Sequence, residues 1–251
     1  MTSYKANSNT GSNESWEVGL RWIENCRANH PKCNTETREN WLPDRVLDVG
    51  TLSSPSLRLH ITSESSLRSP YATLSHCWGS LEIKKLRMAN LNQFIEGIDI
   101  SELTKTFQHA IQITRRLNIR FLWIDSLCII QDSKEDWLKE SVVMGEIYQH
   151  GYCNIAATAA PDGRTGCFLE RNPLLAQPFR VQIDSYPGPR SKSGVYSLAP
   201  QLFWEQGLLQ APLLQRAWVV QERTLAPRVL HFGKGQLFWE CHELVSHFSS
   251  Q

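Results

Sequence analysis

The stretch from Arg120 to Thr158, RFLWIDSLCIIQDSKEDWLKESVVMGEIYQHGYCNIAAT, decides the fold. It opens on Arg120-Phe-Leu-Trp-Ile-Asp125, a short continuous apolar run of the kind buried on both faces of a sheet. Ser133-Lys-Glu-Asp136 then has the polar, acidic start of a helix. That helix carries Trp137, Ser141, Met144 and Tyr148 along one stripe and stops at Gly151. Tyr152 to Thr158 is short and apolar again, a second strand. Two strands joined by a helix with short links predict a parallel pair with a right-handed crossover.

The same alternation extends outward. Upstream, Tyr71–Trp78 (YATLSHCW) reads as a strand ending at Gly79. Asp99-Ile-Ser-Glu102 offers an N-cap with Glu three residues on, and Leu103, Phe107, Ala110, Ile111 and Leu117 share one helical face until Asn118 breaks it. Downstream, Arg216-Ala-Trp218-Val-Val-Gln-Glu222-Arg223 reads as a short helix. Arg228–Phe232 and Gln236–Cys241 form a hairpin across Gly233-Lys-Gly235. The prediction is an α/β chain with a mostly parallel sheet flanked by helices, a C-terminal β-hairpin, and an irregular Pro/Gly/Ser-rich insertion at about 161–212 that holds a strand at Phe179–Ile183. Residues 1–15 are polar and are expected to be a disordered tail. Residues 16–69 form an N-terminal annex: a helix through Trp16, Leu20, Trp22 and Ile23 halted by Pro31, then two short strands between Pro43 and Thr62. The main domain spans 70–241, and residues 242–251 end without a stop signal, as in a truncated chain.

Composition narrows the function classes. With 26 Lys+Arg against 25 Asp+Glu, the formal charge of +1 supplies no electrostatic reason for nucleic acid or an anionic membrane as partner. Nothing approaches about 18 consecutive apolar residues, and the N-terminus lacks the apolar core of a signal peptide. Cys26, Cys33, Cys77, Cys128, Cys153, Cys167 and Cys241 make an odd count, several inside apolar runs, so a reducing, cytoplasmic setting is expected. Nine tryptophans against three methionines is unusual.

In an open parallel sheet, ligands bind beyond the carboxyl ends of the strands. That rule selects Ser75, His76, Trp78 and Gly79 after one strand, and Asp125 and Ser126 after the next. Asp125 either meets a ligand or caps the following turn. Glu222, four residues after Trp218 and flanked by Arg216 and Arg223, is either a site acid or a surface carboxylate paired with arginine. Cys26-x3-His30-x2-Cys33 has zinc-ligand residue types, but no fourth ligand is evident nearby. The reading there assigns no metal: Cys26 is packed and His30 sits at a helix end. Cys77 or Cys128 with His76, His109 or His231 could make a thiol nucleophile and its base, but no cysteine-hydrolase signature is present and inward strand cysteines are inert. The phosphate-loop patterns GxGxxG and GxxxxGK[ST] are absent, which removes kinases, P-loop NTPases and Rossmann dehydrogenases.

Taken together, YATLSHCWG, RFLWIDSLCIIQDSKEDWLKESVVMGEIY and RAWVVQERTLAPRVLHF resemble the three ordered blocks of the fungal heterokaryon incompatibility (HET) domain. WIENCRANHPKC and LPDRVLDVG are similar to its common leader. His76 stands where the family usually has Tyr, and Ile130 where it has Asn or Asp. The resemblance implies a TIR-like, flavodoxin-like fold and a role in fungal non-self recognition that triggers programmed cell death. In enzymatic TIR domains a helix glutamate in a Trp-Cys-x-x-Glu context promotes cleavage of the nicotinamide–ribose bond of NAD, and Trp218-Val-Val-Gln-Glu222 has the same spacing. The resemblance thus implies Glu222 as a catalytic acid beside Trp218, while strand-end position and residue type add Asp125 as the second acid and Ser75, Trp78, Gly79 and Ser126 around the ligand. NAD would be substrate rather than cofactor. The competing expectation is a non-catalytic module that self-associates or binds another incompatibility protein.

Overall fold

The computed structural model describes residues 8–34, 41–64, 69–172, 179–183, 194–198 and 205–247. Helix α1 (Asn13–Asn29) starts on Ser12, whose hydroxyl accepts the Ser15 N–H, and ends before Pro31. Strands β1 (Arg45–Gly50) and β2 (Pro55–Ile61) form a hairpin. Then follow β3 (Tyr71–Ser75), a short helix α2 (Leu91–Glu96), α3 (Lys105–Arg116), β4 (Phe121–Trp123), the four-residue helix α4 (Asp125–Cys128), α5 (Lys134–His150) and β5 (Cys153–Ala156). The region of the expected insertion holds β6 (Phe179–Ile183) and β7 (Gly194–Leu198), paired antiparallel in a separate sheet. The chain returns through α6 (Ala217–Leu225), β8 (Arg228–Phe232), β9 (Leu237–Cys241) and β10 (Val245–His247).

The main sheet has eight strands in the order β10-β9-β8-β5-β3-β4-β1-β2. Its centre, β8-β5-β3-β4, is parallel, and antiparallel pairs close both edges. Numbered by chain order, the parallel strands run 2-1-3-4, the beginning of the flavodoxin-like doubly wound order. The chain leaves β3 toward β4 and then crosses back past β3 to β5. Right-handed crossovers therefore place α3 on one face and α5 on the other. The next crossover, β5 to β8, continues in the second direction, so α6 shares the face of α5, and the two helices pack together.

Several boundaries differ from the sequence reading. The Asp99 cap serves a separate 3-10 turn at Ile100–Glu102, and α3 starts anew after Thr104. Asn118 does break that helix, in a left-handed conformation (φ 57°). On α5 the buried residues are Glu140, Ile147 and Tyr148, while Trp137, expected on the buried stripe, is exposed. Arg45 of β1 reaches α5 through Asp136 at 2.7 Å and Glu140 at 3.1 Å. The N-terminal annex is accordingly no separate unit: β1 pairs with β4, and its strands make one edge of the sheet. The expected tail is also shorter, since Ser8–Ser12 are anchored by backbone bonds to Leu169 and Arg171 and α1 starts at Asn13; residues 1–7 lie outside the described residues. Among the described residues no helix is long and apolar enough to cross a membrane.

Candidate functional site

The register of β3 against β5 assembles the site. Thr73 lies opposite Asn154 and Ser75 opposite Ala156. Side chains alternate along a strand, so Thr73, Ser75 and Asn154 point to the same face. That face is the one covered by α5 and α6, from which Tyr148 and Glu222 approach. A polar chain results. Thr73 Oγ1 donates to Asn154 Oδ1 at 3.1 Å, which leaves the Asn154 amide N–H to donate to Ser75 Oγ at 2.9 Å. Ser75 in turn donates to a Glu222 carboxylate oxygen. Tyr148 lies in hydrogen-bonding reach of both Ser75 and Glu222.

The second acid stands next to the first. Asp125 follows β4 at the start of α4; its Oδ1 accepts the Ser126 N–H at 2.7 Å and its Oδ2 accepts the Trp78 indole N–H at 2.9 Å. His76 Nδ1 lies 3.8 Å from Asp125 Oδ1. The His76 ring is buried edge-on against Phe107 at 4.9 Å, and its Nε2 has no hydrogen-bond partner among the described residues. Burial holds His76 below its ordinary pKa, in the neutral form. Arg216, just before α6, donates to the His76 carbonyl and thereby ties the helix start to the end of β3. Gly79 closes the turn with φ +62°, and a Cβ there would sit 2.5 Å from Asp162, so its role is conformational.

Among the described residues Glu222 has the most strongly raised carboxyl, ahead of Glu140 on α5 at about 6. Burial, reinforced by the negative charge of Asp125, pushes the Glu222 carboxyl up to about 7, against the opposing Ser75 and Tyr148 bonds and the Arg216 charge. A carboxyl that titrates near neutrality beside a second carboxylate, at the carboxyl edge of a parallel sheet, is a site suited to chemistry at a developing positive charge or at a sugar hydroxyl. Asp125 keeps 29% side-chain exposure, so the pair is reachable from solvent.

Ser75, Trp78, Gly79, Asp125 and Glu222 therefore converge. Two expected ligand contacts do not. Trp218 is 66% exposed, because α6 turns Val219 and Glu222 inward, and position 218 lies about 100° from 219 around the helix. Ser126 is buried beneath the Asp125 turn, to which only its N–H contributes; its hydroxyl has no hydrogen-bond partner among the described residues. Asn154 and Tyr148 are site residues that the sequence reading passed over; the available signal was a single amide inside an otherwise apolar strand. The thiol-nucleophile reading fails: Cys128 is buried and pushed up to about 12, Cys77 is also raised by burial, and His109 is held at about 4 by burial while its Nδ1 accepts the Cys167 and Phe168 N–H groups. Cys26, His30 and Cys33 do meet a fourth ligand type, Cys241, which is 211 residues beyond His30 in the chain.

No curated protein and no solved structure matches the chain. The profile of the family described as "Heterokaryon incompatibility protein (HET)" matches residues 71–222, from the first residue of β3 to the site glutamate itself. With more than half of its length matched, the chain belongs to the heterokaryon incompatibility family.

Proposed function

We propose that this protein is an effector of heterokaryon incompatibility that signals cell death by hydrolysing the nicotinamide–ribose bond of NAD at the Glu222 site. The observation that carries the proposal is the Glu222 carboxyl itself. It is partly buried, held by the hydroxyls of Ser75 and Tyr148, and raised to about 7 beside Asp125. Breaking an N-glycosidic bond develops oxocarbenium character at the ribose carbon, and a neighbouring carboxylate stabilises that charge or orients the ribose hydroxyls. Nicotinamide leaves as a neutral molecule from a cationic substrate, so no strong general acid is needed. Water supplies the hydroxyl that ends on the ribose, and its proton passes to solvent. Ribose hydroxyls would take over the bonds that Ser75 and Tyr148 make to Glu222. Trp78, anchored by Asp125, would offer its ring to a base.

The test is nicotinamide release from NAD by the purified full chain, free and clustered on a scaffold. Glu222→Gln is expected to lower the rate by at least about 100-fold. The parent rate should rise with pH through about 7, as Glu222 ionises, and then level off. No release from the parent in either state would overturn the proposal.

One observation favours the non-catalytic alternative. Trp218 and Val220 expose apolar surface on α6 and, with Ala217, Gln221, Thr224 and Leu225, line a shallow groove of ≈ 550 Å³. If self-association is the whole function, Glu222→Gln leaves cell-death signalling intact and Trp218→Asp abolishes it.

A further inference from the structure

We propose that Cys26, His30, Cys33 and Cys241 bind one zinc ion in a closed structural site that clasps the N-terminal segment to β9. The four donor atoms all lie within 4.8 Å of one another, and His30 Nδ1 is 3.3 Å from Cys241 Sγ. A tetrahedral zinc with thiolate bonds near 2.3 Å has ligand–ligand edges of about 3.8 Å, so small side-chain adjustments close the shell. Three sulfurs and one imidazole nitrogen are soft and borderline donors, which favour zinc over calcium or magnesium. All four positions are filled by protein, the mark of a structural rather than a catalytic centre.

The backbone is built for this arrangement. Cys26 lies in the last turn of α1, and His30 and Cys33 follow through a 3-10 turn in which the Cys33 N–H donates to the His30 carbonyl. Asn34 fastens that turn by donating to the carbonyls of Cys26, Arg27 and His30. Across the site, the N–H groups of Glu243 and Leu244 point at Cys241 Sγ, and that of His242 at Cys33 Sγ. Such N–H···S bonds orient and stabilise thiolate ligands. Lys32 N–H to Glu243 at 2.7 Å joins the two ligand loops directly.

Charge balance points the same way. Three thiolates, a neutral imidazole and Zn²⁺ sum to −1. Arg228, 5% exposed, lies in hydrogen-bonding reach of the Cys26 thiol, donates to the Cys33 carbonyl at 3.0 Å, and has an Nε without a partner among the described residues. The guanidinium also donates to the Tyr152 carbonyl and to Asn34 Oδ1 and lies over the Tyr152 ring, which satisfies those donors but not its charge; against four neutral ligands that charge is unbalanced, and against the zinc cluster it is neutralised. A simple disulfide would use two of the sulfurs and leave the third sulfur and the imidazole without a reason to converge on them. Every ligand lies outside residues 71–222, so the clasp joins the two flanks of the family segment.

The full chain, expressed with zinc in the medium and dialysed against a weak chelator, is expected to carry one zinc per chain. Cys26→Ala and Cys241→Ala should each weaken retention at least about tenfold, while Cys167→Ala, away from the cluster, should not. Should those variants fail to fold, the parent chain stripped of metal and refolded with Co²⁺ should give the intense visible bands and thiolate charge-transfer absorption of tetrahedral cobalt. Fewer than about one zinc per ten chains, an iron chromophore, zinc retained by the Cys26→Ala/Cys241→Ala double variant, a Cys26–Cys241 disulfide in non-reduced peptides, or no tetrahedral cobalt spectrum would each overturn the proposal.

Discussion

Helix α6 carries Glu222 and Arg223 side by side, and the two lead to carboxylates in opposite situations. Arg223 makes two bonds of 2.5 Å to Glu240, whose Oε2 also faces His231 Nε2 at 3.1 Å. Burial alone would raise Glu240, but the His231 and Arg223 bonds outweigh it and hold the carboxyl at about 2. Glu222, one residue before Arg223, is bonded by two hydroxyls and faced by the negative Asp125, and burial wins. An arginine is near here too, yet Arg216 spends its hydrogen bond on the His76 carbonyl. The fold thus compensates one buried carboxylate fully and leaves its neighbour poised near neutrality. Uncompensated charge of this kind costs stability, so it is a mark of a site rather than of structure.

The contrast breaks most visibly at Glu240. Glu240→Gln should cost about 3 kcal/mol in urea unfolding at pH 7, because half-buried Arg223 and buried His231 lose the carboxylate they share. The Glu240 contribution is present above the ordinary carboxyl value of 4.5 and fades as pH falls toward 2, so parent and variant curves should converge in acid. Equal stability at pH 7 would sink the distinction. Glu222→Gln should act in the opposite direction. A carboxyl raised from 4.5 to about 7 favours the folded state when protonated and burdens it once ionised. The variant should therefore gain about 1–2 kcal/mol at pH 8 and nothing at pH 4. A loss at pH 8 would make Glu222 a structural residue.

A smaller effect sharpens the cause. Ser75→Ala removes a donor to the Glu222 carboxylate, so the Glu222 titration followed by carbon NMR should move further up, at a stability cost under about 1.5 kcal/mol. A downward movement would mean that Ser75 does not hold the ionised form. Least of all, Trp218→Ala should change stability by no more than about 0.5 kcal/mol, since its ring is exposed. A large loss would place Trp218 back in the packed wall of the site.

How far the site was legible follows from what each residue signals locally. Ser75 and Asp125 stand at the ends of apolar runs, and the run ends are visible without a partner strand. Glu222 carried its Trp-x-x-x-Glu spacing, but the spacing misled for Trp218, because a nine-residue helix buries a narrow stripe and only packing selects which one. Tyr148 lay on the predicted stripe of α5, yet its contact with Glu222 depends on α6 arriving on the same face. Asn154 signals nothing until β3 is set beside it in register.

By itself the amino-acid sequence determined the order of strands and helices and the parallel centre of the sheet. Apolar runs, caps and helix breakers act over a few residues, and right-handed crossovers then restrict how the pieces join. Tertiary structure decided which distant groups meet: Ser75 with Glu222, Arg223 with Glu240, and Cys241 with Cys26, His30 and Cys33. It also decided how two glutamates of identical chemistry differ, at about 7 and about 2. A carboxyl's affinity for its proton is set by the water removed and the charges brought near, and both are properties of the packed molecule.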